Sequence, residues 1–242
     1  MKTLRLKASA LAVASLVSIG TALPAHAQSE GTGEQAKLEE IVVTARRRSE
    51  SLQDVPIAVT AITGDQLSLK GAADISELSQ SVPSLTVEAS RATNSTLTAF
   101  IRGVGQQDPL AGFEQGVALY IDDVYMARPQ GALLDIYDVE RIEVLRGPQG
   151  TLYGRNAVGG AIKYVTRRLS DEPEYRVKMS VGEYNQADLV ATASLPISDT
   201  FRVGGTFATL NRDGYGENLT TGAGNYDKDV TGIRLSAEYE PS

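Results

Sequence analysis

Residues 140–166 read ERIEVLRGPQGTLYGRNAVGGAIKYVT, the most structurally specific stretch of the chain. The first six residues are rich in β-forming side chains and precede a glycine-containing turn, so the sequence predicts a strand over 140–145. The glycines that follow invite comparison with a phosphate-binding loop. The run contains neither G-x-x-x-x-G-K-[ST] nor G-x-G-x-x-G, and Gly103-Val104-Gly105 also lacks the third glycine because Asp108 stands there. The sequence therefore disfavours a nucleotide site.

Upstream of this stretch, short strands alternate with short helices. The sequence predicts a strand over 57–62, after which Thr63 caps a short helix that ends at Gly71. Asp74 opens a second helix in the manner of a capping box, and that helix should stop before Pro83 because the residue preceding a proline avoids helical angles. Further β-rich segments are bounded by glycines or turn residues, at 97–101 and 117–121. This order predicts a compact α+β domain with a mixed sheet over 50–168.

After about Asp171 the hydrophobic period changes to strict alternation of apolar and polar residues. Segments of about ten residues that alternate in this way are typical of a transmembrane β-barrel, although a soluble antiparallel sheet with one solvated face alternates equally well. The connections are short at 196–200 and long, polar and glycine-rich at 211–228, which fits periplasmic turns and outward loops. The alternating segments are 175–181, 187–195, 201–207 and 233–239.

Four strands cannot close a barrel. Residues 171–242 are therefore expected to be the first antiparallel strands of a truncated transmembrane β-barrel, and the chain is expected to be an N-terminal fragment.

The N-terminal residues predict that the chain is exported. Lys2, Arg5 and Lys7 precede an apolar stretch and the small-x-small site Ala25-His26-Ala27, which together indicate a cleaved signal peptide over 1–27.

Composition excludes several kinds of chemistry. The sequence has no cysteine, and its one histidine lies in the predicted signal peptide, so Ser-His-Asp triads, Cys-His pairs and His-based zinc sites are excluded. Removing three positive charges changes the net charge from −7 to −7 − 3 = −10, which argues against nucleic-acid binding. The adjacent acids Asp122 and Asp123 are expected to form a turn, because neighbours in a strand point to opposite faces. We therefore expect no enzyme activity, no catalytic or metal-binding residue and no cofactor.

Residues 28–49 are predicted to form a mobile leader, because 28–40 are polar and lack apolar periodicity. Near its end lie five residues rich in β-branched side chains and flanked by charge. Such a segment pairs readily with an open sheet edge of another protein, and it could also be the first strand of the domain itself. The five residues are Ile41, Val42, Val43, Thr44 and Ala45.

Together these features resemble the TonB-dependent outer-membrane receptor family over residues 38–242. The resemblance implies a plug domain over 50–168 that sits inside a barrel of about 22 strands. It also implies that 41–45 is a TonB box, which binds the inner-membrane energy transducer TonB. Ligands of the family include ferric siderophores, haem, cobalamin and carbohydrates. The matching segments are DVPIAVTAITGDQL (54–67), SVPSL (81–85), FIRGVG (100–105), VALYIDDVYMARP (117–129) and residues 140–166.

The resemblance also implies roles for single residues. Arg102 and Arg146 match plug arginines that contact acidic residues of the barrel wall, and those partners are expected beyond residue 242. The plug apices are expected at 89–96, 105–114 and 125–131. Their candidate ligand-binding residues are Arg91, Asn94, Gln106, Gln107, Phe113, Tyr125 and Arg128.

The function implied is energised uptake of a scarce ligand, such as a ferric siderophore, by a receptor that contacts outer-membrane lipid. An alternative is a free periplasmic plug-like module that binds without transporting, or a non-functional remnant. Both the receptor and the binding module should bind TonB, but only a receptor should reside in the outer membrane.

Overall fold

The computed structural model describes residues 40–90, 95–108, 110, 112–132, 134–135, 137–222 and 224–241. The predicted signal peptide, leader residues 28–39 and the apical candidates Arg91 and Asn94 lie outside these ranges. Within them, the α-helices are α1 (Gly64–Leu69) and α2 (Gly150–Tyr153), and a 3-10 helix covers Ile75–Gln80. No helix in the described ranges is long and apolar enough to span a membrane.

Most of the described chain is β-structure. The strands of residues 40–168, here called the plug, are β1 (Val42–Val43), β2 (Glu50–Ser51), β3 (Val59–Thr63), β4 (Leu85–Ala89), β5 (Leu97–Ile101), β6 (Val104–Gln106), β7 (Val117–Ile121), β8 (Val124–Tyr125), β9 (Val139–Arg146) and β10 (Gly160–Thr166). Those that follow are β11 (Glu174–Gly182), β12 (Gln186–Ser198), β13 (Phe201–Arg212), β14 (Gly216–Glu217), β15 (Gly224–Asn225) and β16 (Lys228–Tyr239).

The plug is built on a five-stranded sheet of order β3-β9-β10-β7-β8. Strands β10 and β7 run parallel, whereas the other neighbouring pairs are antiparallel, so the sheet is mixed. A separate three-stranded sheet of order β4-β5-β6 contributes to the same core. Fully buried side chains at the centre of that core include Ile75, Leu78, Ile101, Ile142 and Ile162. The predicted α+β class with short helices is confirmed.

The caps of the two short helices differ. Thr63 accepts a hydrogen bond from the amide of Gln66, whose side chain bonds back to the Thr63 amide, so the predicted cap is a complete capping box. Asp74 accepts from the amide of Ser76, but Glu77 instead accepts from the side chain of Gln80. The capping box predicted at Asp74 is therefore only half formed, and the helix that it opens is of the 3-10 type. It ends before Pro83, as predicted.

Residues 174–239 contain a four-stranded antiparallel sheet of order β11-β12-β13-β16, here called the second sheet. Most of its large apolar side chains share one face, and many of them are exposed: Met179 is 76%, Val181 86% and Leu235 84% accessible. The opposite face is polar and contacts the plug, where Lys228 Nζ lies 2.5 Å from Asp135 Oδ1. The alternation in the sequence therefore separates an apolar outer face from a polar face that meets the plug.

Asp138 is the main polar contact between the plug and this sheet. Its carboxylate is 4% exposed and pairs with Arg234 of β16, and it also accepts a hydrogen bond from the Thr206 hydroxyl of β13. Arg167 Nε lies 3.8 Å from the other carboxylate oxygen. One buried acid thus connects the start of β9 with two strands of the second sheet.

Candidate functional site

Residues 41–45, here called the box segment, are packed on the plug. Val42 and Val43 pair antiparallel with Ser51 and Glu50, and the Leu52 amide donates to the Ile41 carbonyl over 2.9 Å. Val43 and Ala45 are fully buried in a cluster that includes Leu145 and Tyr153, whereas Val42 is 44% exposed. The structure therefore places residues 41–49 within the folded domain, which differs from the predicted mobile leader. The segment pairs as the first strand of the domain, and its role as a TonB box stays a prediction.

Two buried charged side chains hold the segment at Thr44. Glu143 of β9 and Lys163 of β10 are cross-strand partners with 0% and 1% exposure. Glu143 Oε1 accepts from the Thr44 amide over 2.8 Å, and Lys163 Nζ donates to the Thr44 hydroxyl over 2.7 Å and to its carbonyl over 3.1 Å. Burial of a charge is costly unless it is paired and hydrogen-bonded, so these contacts explain how the two residues are accommodated.

Each of these charges also has a second partner. Arg141 Nε donates to Glu143 Oε1 over 2.7 Å, and Lys163 Nζ lies 3.1 Å from Asp123 Oδ1. Asp123 belongs to the predicted Asp122-Asp123 turn, where both residues have positive φ angles, of 44° and 69°. Glu143 Oε2 is buried and has no hydrogen-bond partner in the described part of the chain.

Tyr153 and Arg47 complete the contacts of the box segment. The Tyr153 hydroxyl donates to the Ala45 carbonyl over 2.9 Å. Burial, and secondarily the nearby Glu143 charge, raise the pKa of Tyr153, so this phenol remains a neutral donor. The Arg47 guanidinium lies 5.0 Å from the centre of the Tyr153 ring, and its Nε donates to the Leu152 carbonyl over 2.9 Å.

The apical candidates fall into two neighbouring groups. Gln106, Gln107 and Phe113 line a small pocket together with Gln115 and Pro129. Tyr125 and Arg128 line a larger cleft that Phe113 also borders, and this cleft extends to Arg47 and Tyr153 beside the box segment. The structure thus brings the five described candidates to adjoining surfaces, and their role in ligand binding stays a prediction.

Arg102 and Arg146 approach the same turn. Arg102 is exposed with a positive φ of 52°, and its Nη1 lies 3.3 Å from the position that a Cβ on Gly147 would take. Arg146 Nε is buried, and no ion pair forms at either arginine within the described ranges. Their assignment as contacts of a barrel wall stays a prediction.

Glu143, Lys163 and Asp138 were not among the site residues predicted from sequence. The sequence does mark Glu143 and Lys163, because each is a single charge that interrupts an apolar run. These runs are IEVL and AIKYV. A charge in a strand that is buried on both faces requires a partner elsewhere in the fold. Sequence alone does not identify that partner as Thr44, which lies 99 residues before Glu143.

Comparisons with known proteins identify related sequences. Residues 51–161 match the family model described as TonB-dependent Receptor Plug Domain. The Pesticin receptor of Yersinia pestis is 31% identical over 224 residues, which cover 90% of this chain and 31% of the relative. The Hemin receptor of Yersinia pestis is 32% identical over 166 residues, which cover 66% of this chain and 23% of the relative. The chain thus spans less than a third of the length of these relatives.

Solved structures show the same architecture. The ferric yersiniabactin uptake receptor FyuA from Yersinia pestis aligns with a TM-score of 0.63 and 27% identity, over 74% of this chain and 28% of that one. The pyoverdine outer membrane receptor FpvA from Pseudomonas aeruginosa aligns with a TM-score of 0.66 over 83% of this chain and 28% of that one. FpvA is only 17% identical, so this second likeness concerns the fold alone.

Proposed function

This chain belongs to the TonB-dependent receptor family, and we propose that it provides the plug and first wall strands of an outer-membrane receptor for energised ligand uptake. The observation that carries the proposal is the docked box segment. It is a short β-strand near the start of the plug, and a cluster of polar side chains holds it. Such a strand can leave the plug and add to a sheet edge of TonB, in the manner of β-strand addition.

The second sheet supports a position in the outer membrane. Its strands reach 13 residues in β12, and transmembrane strands need roughly 9–11 residues. Exposed apolar side chains such as Met179 and Leu235 lie on the face turned away from the plug. Arg234 and Lys228 lie on the opposite face and pair with plug acids. This arrangement is suited to lipid on one side of the wall and the plug on the other.

For the ligand we propose an iron-carrying molecule such as a ferric siderophore. The names of the related proteins mention pesticin, hemin and ferric yersiniabactin, so the relatives differ in what they bind. In this chain Gln106, Gln107 and Phe113 would contact the ligand from one apex, and Tyr125 and Arg128 from the adjoining cleft.

The proposal is tested by capture on TonB. Immobilised periplasmic domain of TonB should retain the chain from detergent-solubilised outer membranes. Val42→Pro should weaken retention by about tenfold or more, because proline removes an amide donor that strand addition uses. Val42→Ala is the matched control, since it keeps the amide at the same half-exposed position and should bind normally.

Equal retention of the proline and alanine variants would contradict strand addition through this segment. Cell fractionation separates the receptor from the alternative of a free periplasmic module. The receptor should be found in the outer membrane, and recovery of a TonB-binding chain only from the soluble periplasm would favour the binding module.

A further inference from the structure

We propose that Glu143 and Lys163 are positioning residues that hold the box segment closed, by occupying the backbone groups of Thr44 that a partner strand would need. The inference rests on the proposed function and names the residues that control it. In the plug-bound state the Thr44 amide donates to Glu143, and its carbonyl accepts from Lys163. Strand addition uses the same kind of main-chain donors and acceptors. Binding to the plug and binding to a partner strand therefore compete at Thr44.

Further contacts strengthen the closed state at this residue. The Thr44 carbonyl also accepts from the Arg47 amide over 2.9 Å, and the Thr44 hydroxyl lies between the two charges, 2.7 Å from Lys163 Nζ and 3.2 Å from Glu143 Oε1. The apolar side chains that anchor the segment nearby, Val43 and Ala45, are small. Thr44 is thus the point at which the segment has its densest polar contacts with β9 and β10.

Release of the box segment need not leave a buried charge without a counter-ion. When Thr44 leaves, Glu143 retains Arg141 and Lys163 retains Asp123 as counter-ions. The two residues are also direct cross-strand partners, so they can pair with each other once Thr44 is no longer between them. Release can therefore be local and reversible, with the core of the plug intact.

Cysteine labelling tests this inference, because the chain has no native cysteine. Val43→Cys places a thiol at a fully buried position of the box segment, and Val82→Cys places one in the main core at 2% exposure. In the full chain, adding Lys163→Met should raise the rate at which the thiol at position 43 reacts with a bulky maleimide by about tenfold. The rate at position 82 should stay unchanged. Lys163→Arg should largely restore slow labelling at position 43, since it keeps the charge.

A second variant removes only the contact made by the segment. Thr44→Val deletes the hydroxyl that bonds to both charges and leaves the core strands as they are, so it should raise labelling at position 43 by about threefold. Unchanged labelling at position 43 in both variants would overturn the inference. Faster labelling at positions 43 and 82 together would also overturn it, because that result indicates general unfolding.

TonB capture separates this inference from the proposed function. If the two residues compete with TonB, Lys163→Met should increase retention on TonB. Faster labelling at position 43 without increased retention on TonB would show that the plug and TonB do not compete for Thr44. Failure of the unaltered chain and of the opened variant to bind TonB at all would instead contradict the proposed function.

Discussion

Replacing Gly160 with alanine should lower the free energy of unfolding of this chain by about 3 kcal/mol or more. Gly160 begins β10 with a φ of 151°, a region that other residues rarely adopt. A Cβ at this position would lie 2.1 Å from the Leu145 carbonyl oxygen and 2.8 Å from the Ile101 side chain. The first contact is with the backbone of the neighbouring strand β9, so the sheet itself would have to move.

Gly150 provides a matched control within the same glycine-rich motif. A Cβ at Gly150 would meet no atom within 4 Å, and the residue begins a helical turn. Gly150→Ala should therefore leave stability unchanged or slightly increase it. Urea denaturation followed by circular dichroism compares the two variants. Equal stabilities would contradict the close approach of β9 and β10 at Gly160.

Replacing Asp138 with asparagine should separate the plug from the second sheet. The buried carboxylate pairs with Arg234 and Arg167, and breaking a buried pair by removing one partner costs about 3–5 kcal/mol. Arg234 remains a quarter exposed, so we expect a smaller loss of about 2 kcal/mol, equivalent to roughly thirtyfold in an opening equilibrium. Asparagine tolerates the positive φ of Asp138, so the substitution tests the charge and not the backbone.

Trypsin cleavage after Arg167 and Arg168, between β10 and β11, measures this opening. The cleavage rate of Asp138→Asn should be about thirtyfold that of the unaltered chain, if trypsin cuts only molecules in which the second sheet has separated from the plug. Asp54→Asn is the control, because Asp54 is exposed and lies outside this contact. If both variants are cleaved at the rate of the unaltered chain, Asp138 does not hold the sheet to the plug.

Local patterns predicted much of the plug. Strands at 97–101 and 117–121 have the bounds expected from β-rich runs between turn residues, and Thr63 caps the helix after β3. The predicted strand over 57–62 instead begins at Val59, where pairing starts opposite Leu145. That boundary depends on where the partner strand β9 ends, which a local pattern does not contain.

At the candidate site, the contacts that the sequence did not predict join distant parts of the chain. The β-branched composition of 41–45 fits both a free TonB box and a first strand of the domain. Its docking depends on Glu143 and Lys163, which are brought together by pairing of β9 with β10. The contact of Asp138 with Arg234 likewise requires the register between plug and sheet, across 96 residues.

Photo-cross-linking in living cells identifies the part of this chain that TonB contacts. A benzophenone amino acid would be placed in turn at residues 41 to 45, and at Leu69, which is 90% exposed, as a control. If the box segment adds to TonB as a strand, TonB adducts should form within 41–45, with yields that alternate along the strand, and Leu69 should give none. Absence of TonB adducts from all five positions, together with an adduct elsewhere on the plug, would contradict strand addition by the box segment.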